Sequence, residues 1–228
     1  MKVAAFALAL GLTGPALAAD RTISVTDFDR VRVTGAMSVI VTQGRVTSVH
    51  VRGAQADVET IIATVSGQQL SVTTTHFGWG SSARAHGPIT VYVSTPQLRA
   101  ASLTGSGRVE ILSLRAARLE LGLSGAGDVT VHGLVTERLA AGMAGSGRLT
   151  IDGSAAQAQL SATGSGVIDA PELKTRDLKV AAQGAVSVNA FASRTAAVNA
   201  GGSGQVVIDG HPSCTVNSQG SGTVSCGR

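Results

Sequence analysis

Gly145-Ser146-Gly147 is one of seven near-copies of a tripeptide that recurs every 18–20 residues from position 105 onward. The other copies are Gly105-Ser106-Gly107, Gly125-Ala126-Gly127, Gly164-Ser165-Gly166, the degenerate Gly184-Ala185-Val186, Gly202-Ser203-Gly204 and Gly220-Ser221-Gly222. A fixed period of this size is typical of solenoids, in which each repeat forms one unit and neighbouring units stack. The array therefore predicts a stacked architecture, and it carries no catalytic signature.

Apolar residues alternate on both sides of each tripeptide. The columns four and two residues before the first glycine are almost entirely apolar, as are those four and six residues after it. In the copy at Gly145 these residues are Ala141, Met143, Leu149 and Ile151. Because successive side chains of a strand point to opposite faces, each copy is predicted as strand, corner and strand around a shared interior.

The predicted fold is all-β, a single-stranded, right-handed parallel β-helix with about 18–20 residues per coil. Each strand pairs with its equivalent one coil away, and the handedness follows from the rule for parallel connections. A leucine-rich repeat is the architectural alternative, but the copies lack its Asn or Cys ladder position and its helical segment. Residues 99–228 form the regular coils in this interpretation.

Residues 19–98 are predicted to form irregular coils and a cap within one domain that spans residues 19–228. Valines alternate on either side of Gly35, at positions 31, 33, 39 and 41, which indicates an imperfect copy of the repeat. Between Gly53 and Val65, apolar residues at positions 58, 61, 62 and 65 follow helical spacing. This spacing predicts a short N-terminal helix that caps the first coil.

The chain opens with a pattern typical of export. Lys2 precedes an apolar segment over residues 3–12 and the small-residue pattern Ala16-Leu17-Ala18, which together predict a signal peptide over residues 1–18. No later stretch approaches the roughly 18 apolar residues of a membrane span, so no transmembrane segment is expected. We therefore expect an exported protein, periplasmic or extracellular at the cell surface.

Composition and charge argue against nucleic acid as a partner. Charged residues make up 14% of the chain and aromatic residues 3%, well below ordinary globular usage. The formal charge is +4, but the basic residues are scattered along the sequence without a Lys/Arg run. Scattered basic residues are weak evidence for an electrostatic binding surface, and nucleic-acid binding is not predicted.

The two cysteines, Cys214 and Cys226, form an even pair in a chain with an export signal, which predicts a disulfide. Metal binding is the alternative, but His211 is the only nearby residue that could add to a tetrahedral set. Both cysteines fall in inward columns of the last coil. A disulfide there would fasten the open end of the solenoid against fraying.

The one irregular insertion spans residues 75–88 and contains the only tryptophan of the chain. Binding sites often lie on long loops, so the candidate ligand-binding residues are His76, Phe77, Trp79 and His86. A hairpin tip or a cap over the core edge is the alternative. Two histidines alone form a weak metal site, and no metal is expected here.

No catalytic, metal or cofactor site is predicted in the repeats. The acidic residues fall mostly in different columns, and Asp152 and Asp209, which share one, lie three coils apart, too far for paired carboxylates. The corner serines have no histidine at a repeat spacing that could activate them. Gly201-Gly202-Ser203-Gly204 lacks the aspartate of a calcium-binding β-roll, because Val206 stands at that position.

Several segments together carry a family resemblance: Phe28-Asp29-Arg30-Val31-Arg32-Val33, the predicted helix near residues 57–63, Pro96-Gln97-Leu98 and the serial Gly-Ser-Gly corners. Over residues 28–224 the chain resembles the bacterial family of putative auto-transporter adhesins with a head GIN domain. The resemblance implies a right-handed β-helix that is exported to the cell envelope. It implies no catalytic residues, because none are established for the family.

Three functions follow as hypotheses. The first is a non-enzymatic, exported cell-envelope binding or adhesion-type module whose partner is an unidentified envelope component, either a glycan or a protein. The second is a polysaccharide lyase or hydrolase, which would need carboxylate, Lys or Arg side chains that converge in a groove. The third is a purely structural periplasmic protein without a ligand.

Overall fold

The computed structural model describes residues 18–75 and 89–227. Its strands are β1 (Ala18–Ile23), β2 (Arg30–Thr34), β3 (Ser38–Gln43), β4 (Ser48–Ala54), β5 (Ile61–Ser66), β6 (Gln69–Thr74), β7 (Thr90–Thr95), β8 (Ala100–Gly105), β9 (Arg108–Leu112), β10 (Arg115–Gly125), β11 (Asp128–Gly145), β12 (Arg148–Gly164), β13 (Val167–Ala170), β14 (Leu173–Gly184), β15 (Ser187–Phe191), β16 (Thr195–Gly202), β17 (Gln205–Asp209), β18 (Ser213–Gly220) and β19 (Thr223–Cys226). The single helix of these ranges is α1 (Gln55–Val58), and no helix within them has the length and hydropathy of a membrane span. The predicted signal peptide lies outside the described residues except for Ala18.

From β8 onward the chain forms the predicted parallel β-helix. Leu121 of β10 pairs in register with Ala141 of β11. Ala141 in turn pairs with Leu160 of β12, and Leu160 pairs with Val180 of β14. All four residues are buried, and each stands four residues before its corner glycine. The predicted inward column and the all-β parallel fold are therefore confirmed.

Each coil has three sides around the buried column. Face A carries the outward residues of the strands that precede the corners, such as Gly122, and face B carries those of the strands that follow, such as Thr130. A second turn follows the strand of face B, at Gly133 in one coil and Gly153 in the next, where φ is positive. The third side lies between this second turn and the next strand of face A. Buried leucines, absent from the predicted columns, close the interior on this side: Leu114, Leu134 and Leu173.

The corner glycines let neighbouring backbones stack closely. Gly145 has a φ of +129°, and a Cβ built on it would lie 2.2 Å from the carbonyl oxygen of Gly125 in the adjacent coil. The backbone N–H of Ser146 donates to that same oxygen at 3.0 Å. Glycine alone tolerates this φ together with this separation. The repeated tripeptide is thus explained by the stacking of one corner on the next.

The N-terminal part stacks its layers out of chain order. β2 and β3, which flank Gly35, pair in parallel with β8 and β9, so the imperfect copy at Gly35 lies directly beside the coil of Gly105. β6 and β7 pair in parallel with the other edges of β2 and β3. They form the next layer outward although they follow β2 and β3 in sequence. The copy of the repeat predicted at Gly35 is confirmed.

The predicted helix over residues 53–65 is wrong for most of its length. Only Gln55–Val58 is helical, and residues 61–66 form β5, which pairs antiparallel with β6. The hairpin turns at Gly67 and Gln68, whose φ values are 56° and 65°. Apolar residues at positions 61, 63 and 65 also fit the two-residue period of a strand. The β-branched side chains of Ile61 and Val65 favour a strand. The helical spacing is a second pattern on the same residues.

Antiparallel pairs close this end of the stack. β4 pairs antiparallel with β7, and β1 pairs antiparallel with β4. Neither pair is a hairpin, because β2 and β3 lie between β1 and β4 in sequence, and α1, β5 and β6 lie between β4 and β7. At the N-terminal edge, antiparallel strands therefore replace the complete parallel coils of the regular repeats.

At the opposite end, Cys214 of β18 and Cys226 of β19 form a disulfide with their Cα atoms 6.5 Å apart. Cys214 continues the row of Ala196, and Cys226 continues the row of Ile208, both of which are buried. No described coil follows, and every residue of β18 is exposed. The disulfide therefore covers the end of the interior column.

Candidate functional site

A groove runs along the edge where the third side meets face A. Its N-terminal stretch encloses about 680 Å³ and its C-terminal stretch about 500 Å³, and the two meet at Arg118, which lines both. Between Arg30 and Arg194 it crosses successive coils over roughly 30 Å, at the ~4.8 Å spacing of strands. We call it the basic groove. Its small residues are Ala100, Ala116, Ala117, Ala140 and Ala158.

Positive charge dominates the lining of the basic groove. Only two carboxylates of the described residues line it, Glu120 and Asp177. The basic residues that line it are Arg30, Arg99, Arg115, Arg118, Arg138, Lys179 and Arg194. Arg115, Arg138 and Lys179 form no salt bridge with any other described residue. The groove therefore presents unneutralised cations to an anionic ligand.

One row of residues across neighbouring coils organises the C-terminal stretch. Arg118 of β10 pairs in register with Arg138 of β11. The row continues with Gln157, Asp177 and Thr195. Like charges directly opposite each other on a sheet are destabilising, and Glu120, at 3.0 Å, neutralises Arg118 only. Arg138 therefore keeps an unbalanced positive charge beside the Arg118–Glu120 ion pair, and an anion bound at Arg138 would balance it.

Asp177 fixes the C-terminal end of the groove. Arg194 donates to both of its carboxylate oxygens, with Nε 2.8 Å from Oδ1, and the Thr195 hydroxyl donates to Oδ1 at 2.7 Å. The hydrogen bonds from Arg194 and Thr195 lower the pKa of Asp177 from 3.8 to about 2. The same pairing raises the pKa of Arg194. Asp177 therefore stays ionised and bound to Arg194 at neutral pH.

The stability of the protein is expected to fall between about pH 4 and pH 2 as Asp177 becomes protonated. A carboxyl group whose pKa is lowered by folding stabilises the fold above its ordinary pKa, here 3.8, and this contribution is lost towards the folded value of about 2. Melting temperature against pH measures the effect. Over this pH interval, the melting temperature of Asp177→Asn should fall by less than that of the wild type. Arg194→Gln should show the same smaller fall. Parallel curves for all three proteins would contradict the assignment.

Asp29 and Gln43 position the N-terminal stretch of the groove. The Asp29 side chain, only 16% exposed, lies 3.6 Å from Arg30 through Oδ1 and 3.4 Å from Arg99 through Oδ2. The Gln43 side chain accepts the backbone N–H of Arg115 at 2.9 Å and donates to the carbonyl of Arg115 at 3.2 Å. Asp29 and Gln43 flank the coil of Gly35. Residues at the two ends of the Gly35 coil thus position Arg99 and Arg115, which belong to the coils that follow.

The loop residues predicted to bind a ligand are His76, Phe77, Trp79 and His86. They lie outside the described residues, so a ligand site there stays a prediction. Loop composition pointed to this segment, whereas no motif pointed to the basic groove, whose cations come from distant parts of the sequence. The sequence signal that could have indicated the groove is the spacing of Arg118 and Arg138, which stand one repeat apart.

Face B brings together His132 and Asp152, which share the column seven residues after the corner glycine, and Glu110 from another column. His132 lies between two carboxylates, with Nδ1 2.8 Å from Asp152 Oδ2 and Nε2 3.8 Å from Glu110 Oε1. The other oxygen of Asp152 accepts the backbone N–H of Gly133 at 2.5 Å. Throughout residues 18–75 and 89–227, no group of His, Cys, Asp and Glu has a metal-binding arrangement. The cluster joins three coils beside the second turn, and structural stabilisation accounts for its contacts.

The family described as putative auto-transporter adhesin, head GIN domain, matches residues 27–212 of this sequence. The chain belongs to this family. The resemblance predicted from sequence is confirmed, and every residue of the basic groove, from Arg30 to Thr195, falls within the matched segment of the adhesin head. A search of curated proteins found no significant match.

Solved structures share the adhesin-head fold. A putative adhesin from Bacteroides fragilis NCTC 9343 is 20% identical over 92% of this chain and 96% of its own, with a TM-score of 0.79. A putative lipid binding protein from Parabacteroides distasonis ATCC 8503 is 18% identical over 93% and 97%, with a TM-score of 0.73. A putative adhesin from the same organism is 20% identical over 93% and 98%, with a TM-score of 0.71. At these identities the likeness shows the fold alone.

Proposed function

We propose that this adhesin-head protein is an exported, non-enzymatic binding module of the adhesion type that binds an envelope component through the basic groove. The observation that carries the proposal is a groove across successive coils whose described lining holds more cations than carboxylates. Arg115, Arg138 and Lys179 of this lining have no ion-pair partner among the described residues. Family membership and structural relatives described as putative adhesins support the adhesion-type role. Export rests on the predicted signal peptide over residues 1–18.

The groove chemistry favours binding over catalysis. A hydrolase or lyase acting on a polysaccharide would need an available acid or base beside the bond that breaks. Both carboxylates in the described lining are engaged in ion pairs, Glu120 with Arg118 and Asp177 with Arg194. The hydrogen bonds that lower the pKa of Asp177 make it a poor proton donor. The convergence of cations that the enzyme hypothesis requires is thus present, but the described lining offers no free carboxyl group for the paired-carboxylate chemistry of a hydrolase.

Binding to bacterial envelope fragments tests the proposal. The purified protein is sedimented with washed fragments at increasing salt concentration, and bound protein is measured. Arg118→Gln/Arg138→Gln removes the arginine pair at the junction of the two groove stretches, and it should reduce bound protein by about tenfold. Binding of the wild type should weaken as salt rises, because exposed charges are screened. Both arginines are exposed, so the variant should keep the circular dichroism spectrum of the wild type.

The matched control is Arg32→Gln/Arg148→Gln, which removes the same charge from exposed arginines on faces A and B, outside the groove. This control should sediment like the wild type. Equal losses from both variants would indicate a general charge effect and contradict the groove, as would full binding by the groove variant. A third variant replaces residues 76–86 with a short Gly/Ser turn. If only that variant lost binding, the loop would be the site and the groove proposal would fail.

A further inference from the structure

We infer that the basic groove binds a linear acidic polysaccharide whose sugars carry carboxylates, a polyuronate. The inference rests on the proposed function and adds the chemical class of the ligand. It is carried by three kinds of group that line one groove: guanidinium groups, side-chain amides and alanine methyl groups. A uronate sugar offers a counterpart to each, because it has a carboxylate, several hydroxyls and a compact ring.

The repetition of cations along the groove favours a polymer over a small anion. Arginines that line the groove belong to four successive coils: Arg30, Arg99, Arg118 and Arg138. Successive coils are ~4.8 Å apart, which is comparable with the length of one sugar in an extended glycan. Consecutive carboxylates of such a chain can therefore each meet a cation. The guanidinium fork also matches a carboxylate with two parallel hydrogen bonds.

Amide side chains lie between these cations. Gln157 follows Arg138 in the same row, and Gln159 lies two residues further along β12. Gln97 lines the N-terminal stretch beside Arg99. All three glutamines are exposed, and an amide both donates to and accepts from hydroxyl groups. The alanines of the groove leave space for a sugar ring between the arginines and these amides.

The same lining disfavours nucleic acids and membranes. Single-stranded nucleic acids stack their bases on aromatic side chains, and no aromatic residue of the described chain lines the groove. Peripheral membrane surfaces insert apolar side chains next to their cations. The large exposed hydrophobic residues of the described chain all lie outside the lining: Val46, Ile62, Tyr92, Val135 and Val216.

Polygalacturonate, an unbranched polyuronate, is the probe, and its methyl ester is the matched control. Esterification removes the negative charge and keeps the sugar backbone. The wild type should bind polygalacturonate at least about tenfold more tightly than the ester, because charged hydrogen bonds are lost with the ester. Isothermal titration calorimetry at physiological salt measures both affinities. Arg118→Gln/Arg138→Gln should lose most of this preference, and Arg32→Gln/Arg148→Gln should keep it.

Equal affinity for the polymer and its ester would overturn the inference. Tighter binding to duplex DNA or to phosphatidylglycerol vesicles, at equal concentrations of negative charge, would also overturn it. The proposed function would survive either result if the groove variant still failed to sediment with envelope fragments, so the two claims fail separately. Accumulation of unsaturated uronate, followed by ultraviolet absorbance, would instead reveal a lyase and contradict the non-enzymatic part of the proposed function.

Discussion

Replacing Gly145 with alanine is expected to lower the free energy of unfolding by about 3 kcal/mol or more. The added Cβ would lie 2.2 Å from the carbonyl oxygen of Gly125 and 3.0 Å from its carbonyl carbon. These backbone atoms belong to a coil that also stacks on the coil of Gly105. They cannot move away without disturbing that coil. The φ of +129° at Gly145 adds strain for any residue with a side chain.

Equilibrium denaturation in urea measures this loss, with Gly122→Ala as the matched control. Gly122 lies on face A, where the nearest atom to an added Cβ is Ser102 Cβ at 3.5 Å. The control should therefore change stability by less than about 0.5 kcal/mol. Gly35→Ala should fall between the two, because its φ is +121° but the nearest atom is the Thr74 hydroxyl oxygen at 3.3 Å. Equal effects at Gly122 and Gly145 would contradict the stacked-corner explanation.

Loss of the Cys214–Cys226 disulfide is expected to free the last coil and to lower its local stability by about 3 kcal/mol, on the chain-entropy estimate. The bond joins residues with a sequence separation of 12 at the exposed end of the stack. Each coil of a solenoid is stabilised mainly by its neighbours, and this coil has a described neighbour on one side only. Cys214→Ser/Cys226→Ser should therefore fray β18 and β19 while the central coils stay folded.

Amide hydrogen exchange followed by mass spectrometry distinguishes local fraying from global unfolding. In the double serine variant, β18 should exchange faster than in the wild type, and β12 in the centre of the stack should exchange at an unchanged rate. Unchanged exchange in β18 would mean that the disulfide does not hold the last coil. Faster exchange of both strands to the same extent would contradict a local effect.

The regular coils were predictable because two independent constraints point to one register. The corners need glycine where backbones stack, and the interior needs apolar side chains at alternate positions. Leu121, Ala141 and Leu160 satisfy the second constraint at a constant distance from glycines that satisfy the first. The same two constraints identified Gly35 as part of the stack, although its neighbours in space are remote in sequence.

The N-terminal edge was less predictable for a physical reason. Residues 61–65 are compatible with a helix and with a strand, and pairing with β6 decides between them. β6 is in place for that pairing because it stacks beside β2 as the next layer, although β3, β4 and β5 lie between them in sequence. A local period contains no information about which remote strand supplies the partner, so neither the hairpin nor the interleaved layer follows from the sequence pattern.

The basic groove was hidden for a related reason. Arg118 and Arg138 stand seven residues before their corner glycines, in a column that later contains Gln157 and Asp177 and so has no single chemistry. Arg30 joins the groove only because the coil of Gly35 stacks beside the coil of Gly105. Core columns are recognisable because every coil must fill the interior, whereas a binding surface needs only some coils to contribute.

Nuclear magnetic resonance of the arginine side chains during titration with a short oligogalacturonate tests the groove most directly. The Nε–Hε signals of Arg99, Arg118 and Arg138 should shift as the ligand is added, because these guanidinium groups line the groove. Those of Arg32 and Arg148, on faces A and B, should stay in place. Shifts confined to Arg32 or Arg148, or no arginine shift at saturating ligand, would contradict the basic groove as the binding surface.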